Sequence, residues 1–172
     1  MIGRNRKRKV PAEVRSKLDR DERVVACAST VDADAAVVVT TRGLWLPGRE
    51  RLGWHEIHKA TWAGSRLTVV AAVKESEAEG YAVMADDVPV VVTLTGPDDV
   101  PAEVRDRVTR SVAYTAHHPL PGGGLRVVAR RVPGANGVVW HVRYDEGTDA
   151  QDPEVVAQTT ELVAEAARPQ PE

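Results

Sequence analysis

The sequence has no phenylalanine, one cysteine and no long apolar run, and each shortage excludes a class of protein. A single cysteine, Cys27, cannot form a disulfide within the chain, which excludes a disulfide-stabilised scaffold. No apolar stretch approaches the roughly 20 residues that a helix needs to span a bilayer. The basic segment 1–9 is followed by VPAE rather than by the apolar segment of a signal peptide. We therefore expect a cytoplasmic protein.

A strong net charge is also lacking, since the formal net charge is −2, but the charge is unevenly distributed. Residues 1–23 carry nine Lys or Arg against four Asp or Glu, whereas residues 145–172 carry one against eight. Segment 1–9 has dense like charge and little to bury, which predicts a disordered basic tail. Such a tail binds a polyanion or an anionic membrane surface, or it is simply solvated. The cations concerned are Arg4, Arg6, Lys7, Arg8 and Lys9.

What the sequence does have is a long region, residues 35–73, in which apolar and polar residues alternate as they do in strands. The β-branched run AVVVTT ends at an Arg-Gly pair, and LWL follows before Pro-Gly. Gly64-Ser65 suits a two-residue type II′ turn, because glycine supplies a positive φ at the first central position. LTVV then begins another strand. The pattern predicts an antiparallel meander.

The flanking segments predict further elements. Proline at a helix start and an Asp-Pro pair mark two helices, and Asn136-Gly137 marks a hairpin. In chain order we expect a short helix from residue 11 to about 20, a strand at 23–31, a polar loop at 74–80, strands at 81–84 and 88–95, a helix at 101–117, a linker at 119–124, hairpin strands at 125–132 and 138–144, and a last helix from residue 153.

A resemblance to a known family is carried by TTRGLWLPG (40–48), LGWHEIHKATW (52–62) and the turn into LTVV. These motifs are similar to those of bacterial pleckstrin-homology-like (PH-like) domains, over residues 23–118. The whole chain also resembles a family of actinobacterial proteins of about this length, which implies a lineage and no function. The PH-like resemblance implies a bent antiparallel sheet, or partial barrel, closed by the helix that follows its last strand.

No motif predicts catalysis or a cofactor, so we expect a protein that is not an enzyme and that binds no metal. His55 and His58 stand at positions i and i+3, whereas the helical zinc motif needs histidines at i and i+4 with glutamate between them. Gly122–Gly124 lack the Lys-Ser/Thr of a phosphate-binding loop, and His117-His118 is expected at a helix C-terminus. The four tryptophans are expected in strands, as core residues or, for one of them, as an exposed anchor.

The most site-like surface is basic. One cluster surrounds the second turn of the meander, and another lies on the late hairpin, on the face opposite Trp140. A two-residue Asn-Gly turn would place Arg130 across from Arg143, so either the register differs or an acidic group sits there. The alternative is an ordinary solvated face. The residues are Arg42, Arg49, Arg51, Arg126, Arg130, His141 and Arg143.

Together these patterns predict an α+β protein with a PH-like antiparallel sheet, followed by a β-hairpin and a C-terminal helix. We expect a basic tail at 1–9, a PH-like domain at 10–118 and a hairpin-helix extension at 119–172. The expected function is binding of a protein or peptide partner. Binding of an anionic membrane surface or polyanion through the tail is the alternative.

Overall fold

The computed structural model of the chain describes residues 10–32 and 34–171. Three α-helices and eleven strands lie in this part of the chain. The helices are α1 (Ala12–Lys17), α2 (Val100–Ser111) and α3 (Pro153–Ala166). The strands are β1 (Val24–Thr30), β2 (Ala36–Thr40), β3 (Gly43–Trp45), β4 (Leu52–Gly53), β5 (Ile57–Ala63), β6 (Arg66–Ala78), β7 (Tyr81–Asp86), β8 (Val90–Thr95), β9 (Val112–Leu120), β10 (Gly123–Arg131) and β11 (Val138–Tyr144).

The chain forms two compact units that are discontinuous in sequence. The first unit consists of the described residues up to Ala71 together with Val88–Thr109. The second consists of Ala72–Asp87 and the described residues from Arg110 onward. Strand pairing is antiparallel except between β7 and β11. The α+β class and the mostly antiparallel sheet are therefore confirmed, while the division at residue 118 stays a prediction.

In the first unit the strands lie in the order β4-β3-β2-β1-β8-β6-β5. The meander predicted for residues 35–73 is only partly formed, because β4 and β5 do not pair and β8 lies between β1 and β6. The predicted turn at Gly64 is confirmed, since this residue has a φ of +60° and β5 pairs with β6 on either side of it. The core is formed by alternate residues of the strands and by one face of α2. Its buried members include Val37, Leu44, Ile57, Leu67, Val69, Leu94, Val100 and Val104.

The second unit contains the rest of β6, then β7, β11, β10 and β9 in that order, with α3 packed on one face. Asp152 caps α3 by accepting a hydrogen bond from the backbone N–H of Glu154 at 2.9 Å, and Pro153 follows at the first helical position. The cap and start of α3 are as the sequence predicts. The buried members of this core are Tyr81, Val83, Leu120, Leu125, Val127, Val142, Val155 and Val163.

Several predicted elements are wrong. The helix predicted at 101–117 ends at Ser111, and the chain continues as strand β9, because Val112, Tyr114 and Thr115 favour strands and β10 offers a partner. The residues after Ser111 keep the apolar spacing of a helix although they form a strand.

Three smaller corrections concern loops and one tryptophan. The loop predicted at 74–80 is a continuation of β6 as far as Ala78, paired with β7. The linker predicted at 119–124 is a tight turn at Pro121-Gly122 between β9 and β10, which pair from Leu120↔Gly123 onward. Trp54 begins a short 3-10 helix (Trp54–Glu56) instead of lying in a strand.

Candidate functional site

The first basic cluster is largely engaged in ion pairs within the first unit. Arg42 pairs with Asp21, and this hydrogen bond lowers the pKa of the Asp21 carboxyl. Arg51 lies over the ring of Trp45, with 5.9 Å from its Cζ to the ring centroid. Arg49 is exposed in the turn after β3. Two of the three predicted cations are therefore used to hold the fold.

The carboxylate that organises this cluster is Glu22, which sequence reasoning missed. Its side chain is fully buried and accepts hydrogen bonds from Thr40 Oγ1 at 2.6 Å and Trp45 Nε1 at 3.1 Å. Arg51 Nη1 donates to it at 2.6 Å and also to Asp19 at 2.8 Å. Glu22 lies in the charged run DRDER, where a local pattern indicates only a solvated turn. Its three side-chain donors lie 18 to 29 residues away, so no local signal identifies it.

Burial acts to raise the pKa of Glu22, but the hydrogen bonds and the charge of Arg51 outweigh it and hold the pKa below its ordinary value. Burial likewise opposes the charge of Arg51, and its two acidic partners outweigh this effect and raise its pKa. Glu22, Arg51 and the other donors thus form a hydrogen-bonded network that satisfies the buried carboxylate and has a structural role.

The late hairpin places its four basic residues on the face opposite Trp140, as predicted, but in a different register. Arg126 lies across from Arg143, and Arg130 lies across from Val139. The reason is that the loop between the strands spans residues 132–137 instead of the two-residue Asn-Gly turn. The expected Arg130–Arg143 pair is therefore wrong.

Acidic or polar side chains accompany several of these cations. Arg143 pairs with Asp86, and Arg126 Nη1 donates to Thr115 Oγ1 at 3.2 Å. Arg130 is buried, with 5% of its surface exposed, and burial together with the charge of Arg143 lowers its pKa to about 10. His141 is half-buried on the same face. This face is therefore not the fully solvated basic surface that the sequence suggests.

The basic tail, which holds Arg4, Arg6, Lys7, Arg8 and Lys9, lies outside the described residues.

The histidines lie apart from any metal-ligand arrangement in residues 10–32 and 34–171, where no group of three or more His, Cys, Asp or Glu is placed to hold an ion. His117 and His118 lie on β9, so their predicted place at a helix C-terminus is wrong. His117 Nε2 is 2.7 Å from an Asp145 carboxylate oxygen. This contact joins β9 to the segment after β11 and needs no ligand.

A groove that the sequence did not predict lies in the first unit between β5 and α2. It encloses about 220 Å³ and has an apolar floor that includes Leu67 and Val104, each 1% exposed. Two properties make it site-like: β5 has β6 as its only strand partner among the described residues, and Arg105 lies at the wall, exposed. The lining residues are Ala60, Thr61, Trp62, Leu67, Pro101, Val104 and Arg105.

The sequence explains each side of this groove locally. The Gly64-Ser65 turn pairs β5 with β6, and β5 lies at an edge of the sheet. Residues at alternate positions, Ala60 and Trp62, point toward the core, while the helical spacing of Val100, Val104 and Val108 turns one face of α2 to the same core. The groove arises where these two elements meet.

A second cavity of the first unit, about 480 Å³, lies between the start of α1 and the turn after β1. Its wall carries Asp32 and Asp34, whose charges disfavour an anionic ligand.

Within the described residues, no helix is both long and apolar enough to cross a bilayer. Comparison with models of protein families, with curated proteins and with solved structures gave no match to this chain. The structure thus places the chain in the α+β class, with a mostly antiparallel sheet. The groove between β5 and α2 is a candidate site in its first unit.

Proposed function

We propose that this chain is a non-enzymatic, cytoplasmic PH-like module that binds an extended segment of a protein partner in the groove between β5 and α2. The proposal is supported by the first unit's antiparallel sheet and by the helix that follows its last strand and packs on its core. That order is what the PH-like resemblance implies. The cytoplasmic placement is supported by the single cysteine, Cys27.

The observation that carries the proposal is the edge of β5, where the described residues provide no second strand partner, beside a groove whose floor includes Leu67 and Val104. An exposed strand edge offers backbone N–H and C=O groups that an extended peptide satisfies by adding a strand, and a neighbouring pocket then selects its side chains. The volume of about 220 Å³ lies below the roughly 300–1,000 Å³ of sites that enclose small molecules. The groove therefore suits a side chain of a bound segment better than a whole metabolite.

The charge at the groove favours an acidic segment. Arg105 forms part of the wall, and Lys59 precedes the lining residue Ala60 on β5. Both cations are exposed, and neither has an ion-pair partner among the described residues. An Asp or Glu in the bound segment would gain a favourable contact there and would speed the encounter.

The test is selection of random nine-residue peptides displayed on phage against the full chain, followed by calorimetry of the selected peptides. We expect peptides that contain Asp or Glu and that bind about tenfold or more weakly to an Arg105→Glu variant, a loss of about 1.4 kcal/mol. Arg49→Glu is the matched control, because Arg49 is also exposed and belongs to the other basic cluster.

Binding that is lost in Arg49→Glu and retained in Arg105→Glu would move the site to the turn after β3. Binding that disappears when residues 1–9 are deleted would support the tail instead. If no peptide is selected whose binding depends on Arg105, the proposed function is wrong.

A further inference from the structure

Strand β9 is the long exposed edge of the second unit. It has nine residues and pairs with β10 on one side, and the described residues provide no strand for its other side. Tyr114, Thr115 and His117 are exposed. An unpaired edge of this length is a template for another strand, and proteins usually shield such edges with charges, proline or a short length.

The middle of β9 is not shielded in these ways. Strand β4, another edge strand among the described residues, has only two residues. In β9 a register shift falls before Tyr114, and Pro119 lacks an N–H, so the regular part is 114–118. The sequence of that part is YTAHH, without Asp, Glu, Lys or Arg.

Residues 114–118 can pair with a second, antiparallel copy of the same residues. The midpoint of this stretch is Ala116, so two antiparallel copies centred there place Tyr114 opposite His118, Thr115 opposite His117, and Ala116 opposite itself. In each pair both side chains lie on the same face, because the paired positions differ by an even number. The pairing brings no like charges together and opposes the two small alanines at the axis.

The aromatic residue at the end of this stretch is already held in place. The ring of Tyr114 contacts Trp140 of the same unit, with centroids 5.7 Å apart and an angle of 58° between the planes. Tyr114 is nevertheless 39% exposed. A fixed, half-exposed aromatic loses little conformational entropy on association, which favours binding.

From these observations we propose that the chain forms a two-fold symmetric dimer in which β9 pairs with β9 of a second copy, with Ala116 at the axis. The pairing makes one continuous sheet from the second units of two molecules and satisfies the exposed backbone groups of both edges. This inference does not depend on the partner proposed for the groove at β5.

The first test uses Ala116→Cys in the full chain with a short bis-maleimide cross-linker, because residues directly opposite across antiparallel strands have Cβ atoms about 4.5–5.5 Å apart. We expect a covalent dimer, and mass spectrometry should show residue 116 linked to residue 116. Thr61→Cys, on the edge strand β5, is the control and should give no such product, and the unmodified chain controls for Cys27.

The second test measures the oligomeric state by analytical ultracentrifugation. The unmodified chain should be a reversible dimer, and Ala116→Lys should raise its dissociation constant about tenfold or more, since two lysines would face each other at the axis. Circular dichroism and thermal unfolding check that Ala116→Lys folds. If this variant does not fold, the Ala116→Cys cross-link decides whether β9 pairs with β9 of a second copy. A monomer at all concentrations, a cross-link through residue 61 instead of 116, or selection of foreign peptides by β9 in a monomeric chain would overturn the proposal.

Discussion

At the scale of single residues, Glu22 provides the clearest case of a charge that stabilises the fold. Its two carboxylate oxygens accept hydrogen bonds from Thr40 and Trp45 on one side, and from the Asp19 backbone N–H at 3.0 Å and Arg51 on the other. A buried carboxylate costs free energy unless such partners compensate. Here the compensation is complete enough to keep the group ionised.

We expect Glu22→Gln to destabilise the protein by about 2–4 kcal/mol, because the amide replaces the charge that Arg51 faces in a buried site. Urea unfolding followed by tryptophan fluorescence measures this loss. Glu50→Gln is the matched control, since Glu50 pairs with Lys17 with 82% of its side chain exposed, and it should cost less than about 1 kcal/mol. Equal losses in the two variants would mean that the Glu22 network does not form.

The same residue predicts a pH dependence. The pKa of Glu22 is lower in the folded than in the unfolded chain, so its ionisation stabilises the fold fully above the unfolded value of about 4.3. This contribution is lost as the pH falls through the folded pKa. The difference in unfolding free energy between the original chain and Glu22→Gln should therefore be constant at pH 6–7 and shrink below about pH 4. A difference that grows on acidification would contradict the lowered pKa.

At the scale of elements, the late hairpin and α3 depend on each other for burial. An isolated two-stranded hairpin is marginal in water, and a single helix buries its apolar face only against another element. Here Val155 and Val163 of α3 pack with Leu125 and Val142 of the hairpin strands. Tyr144 and Thr159 share a hydrogen bond of 2.7 Å between their hydroxyls. Burial raises the pKa of Tyr144, as expected for a hydroxyl inside this contact.

Trp140 lies at the edge of that contact, partly buried and packed against the same core. We expect Trp140→Ala to cost roughly 3 kcal/mol, at the lower end of the range for removing a buried aromatic side chain. Val139→Ala is the control, because Val139 lies on the opposite face and is 36% exposed, and it should cost less than about 1 kcal/mol. Thermal and urea unfolding measure both. If Val139→Ala lowers the free energy of unfolding as much as Trp140→Ala does, the assignment of the buried and exposed faces of β11 is wrong.

The element that sequence patterns misjudge is the segment 112–120. Val108, Val112 and Ala116 recur at helical spacing, and no glycine or proline stops a helix at Ser111. The segment nevertheless forms a strand, because Tyr114 and Thr115 favour strands and β10 supplies hydrogen-bond partners from Leu120 back to Val112. The change from helix to strand creates the edge on which the proposed dimer depends.

At the scale of the whole molecule, the uneven charge leads to a prediction about the tail. Segment 1–9 has five cations and little apolar surface, so its deletion should change the unfolding free energy by less than about 1 kcal/mol. Calorimetry of the full and shortened chains measures this. A larger loss would mean that the tail is packed against the rest of the chain. Loss of binding to anionic vesicles on deletion, with a steep salt dependence, would support the alternative function.

The sequence by itself determines those features whose signals lie within a few residues. The Gly64-Ser65 turn, the Asp152 cap of α3 and the alternation around Trp140 are of this kind, because glycine, capping oxygens and strand period act through neighbouring positions. The α+β class follows from the same local signals.

The tertiary structure alone decides which distant segments meet. It pairs β8 with β1 and β6, sets the register that places Arg126 across from Arg143, and surrounds Glu22 with side-chain donors 18 to 29 residues away. It also places β5 beside α2 to form the groove. The physical reason is that burial and hydrogen bonding depend on the whole folded chain. Glu22, in the charged run DRDER, is buried because distant residues supply its hydrogen-bond donors. The segment after Ser111 forms strand β9 in spite of its helical spacing, because β10 supplies hydrogen-bond partners.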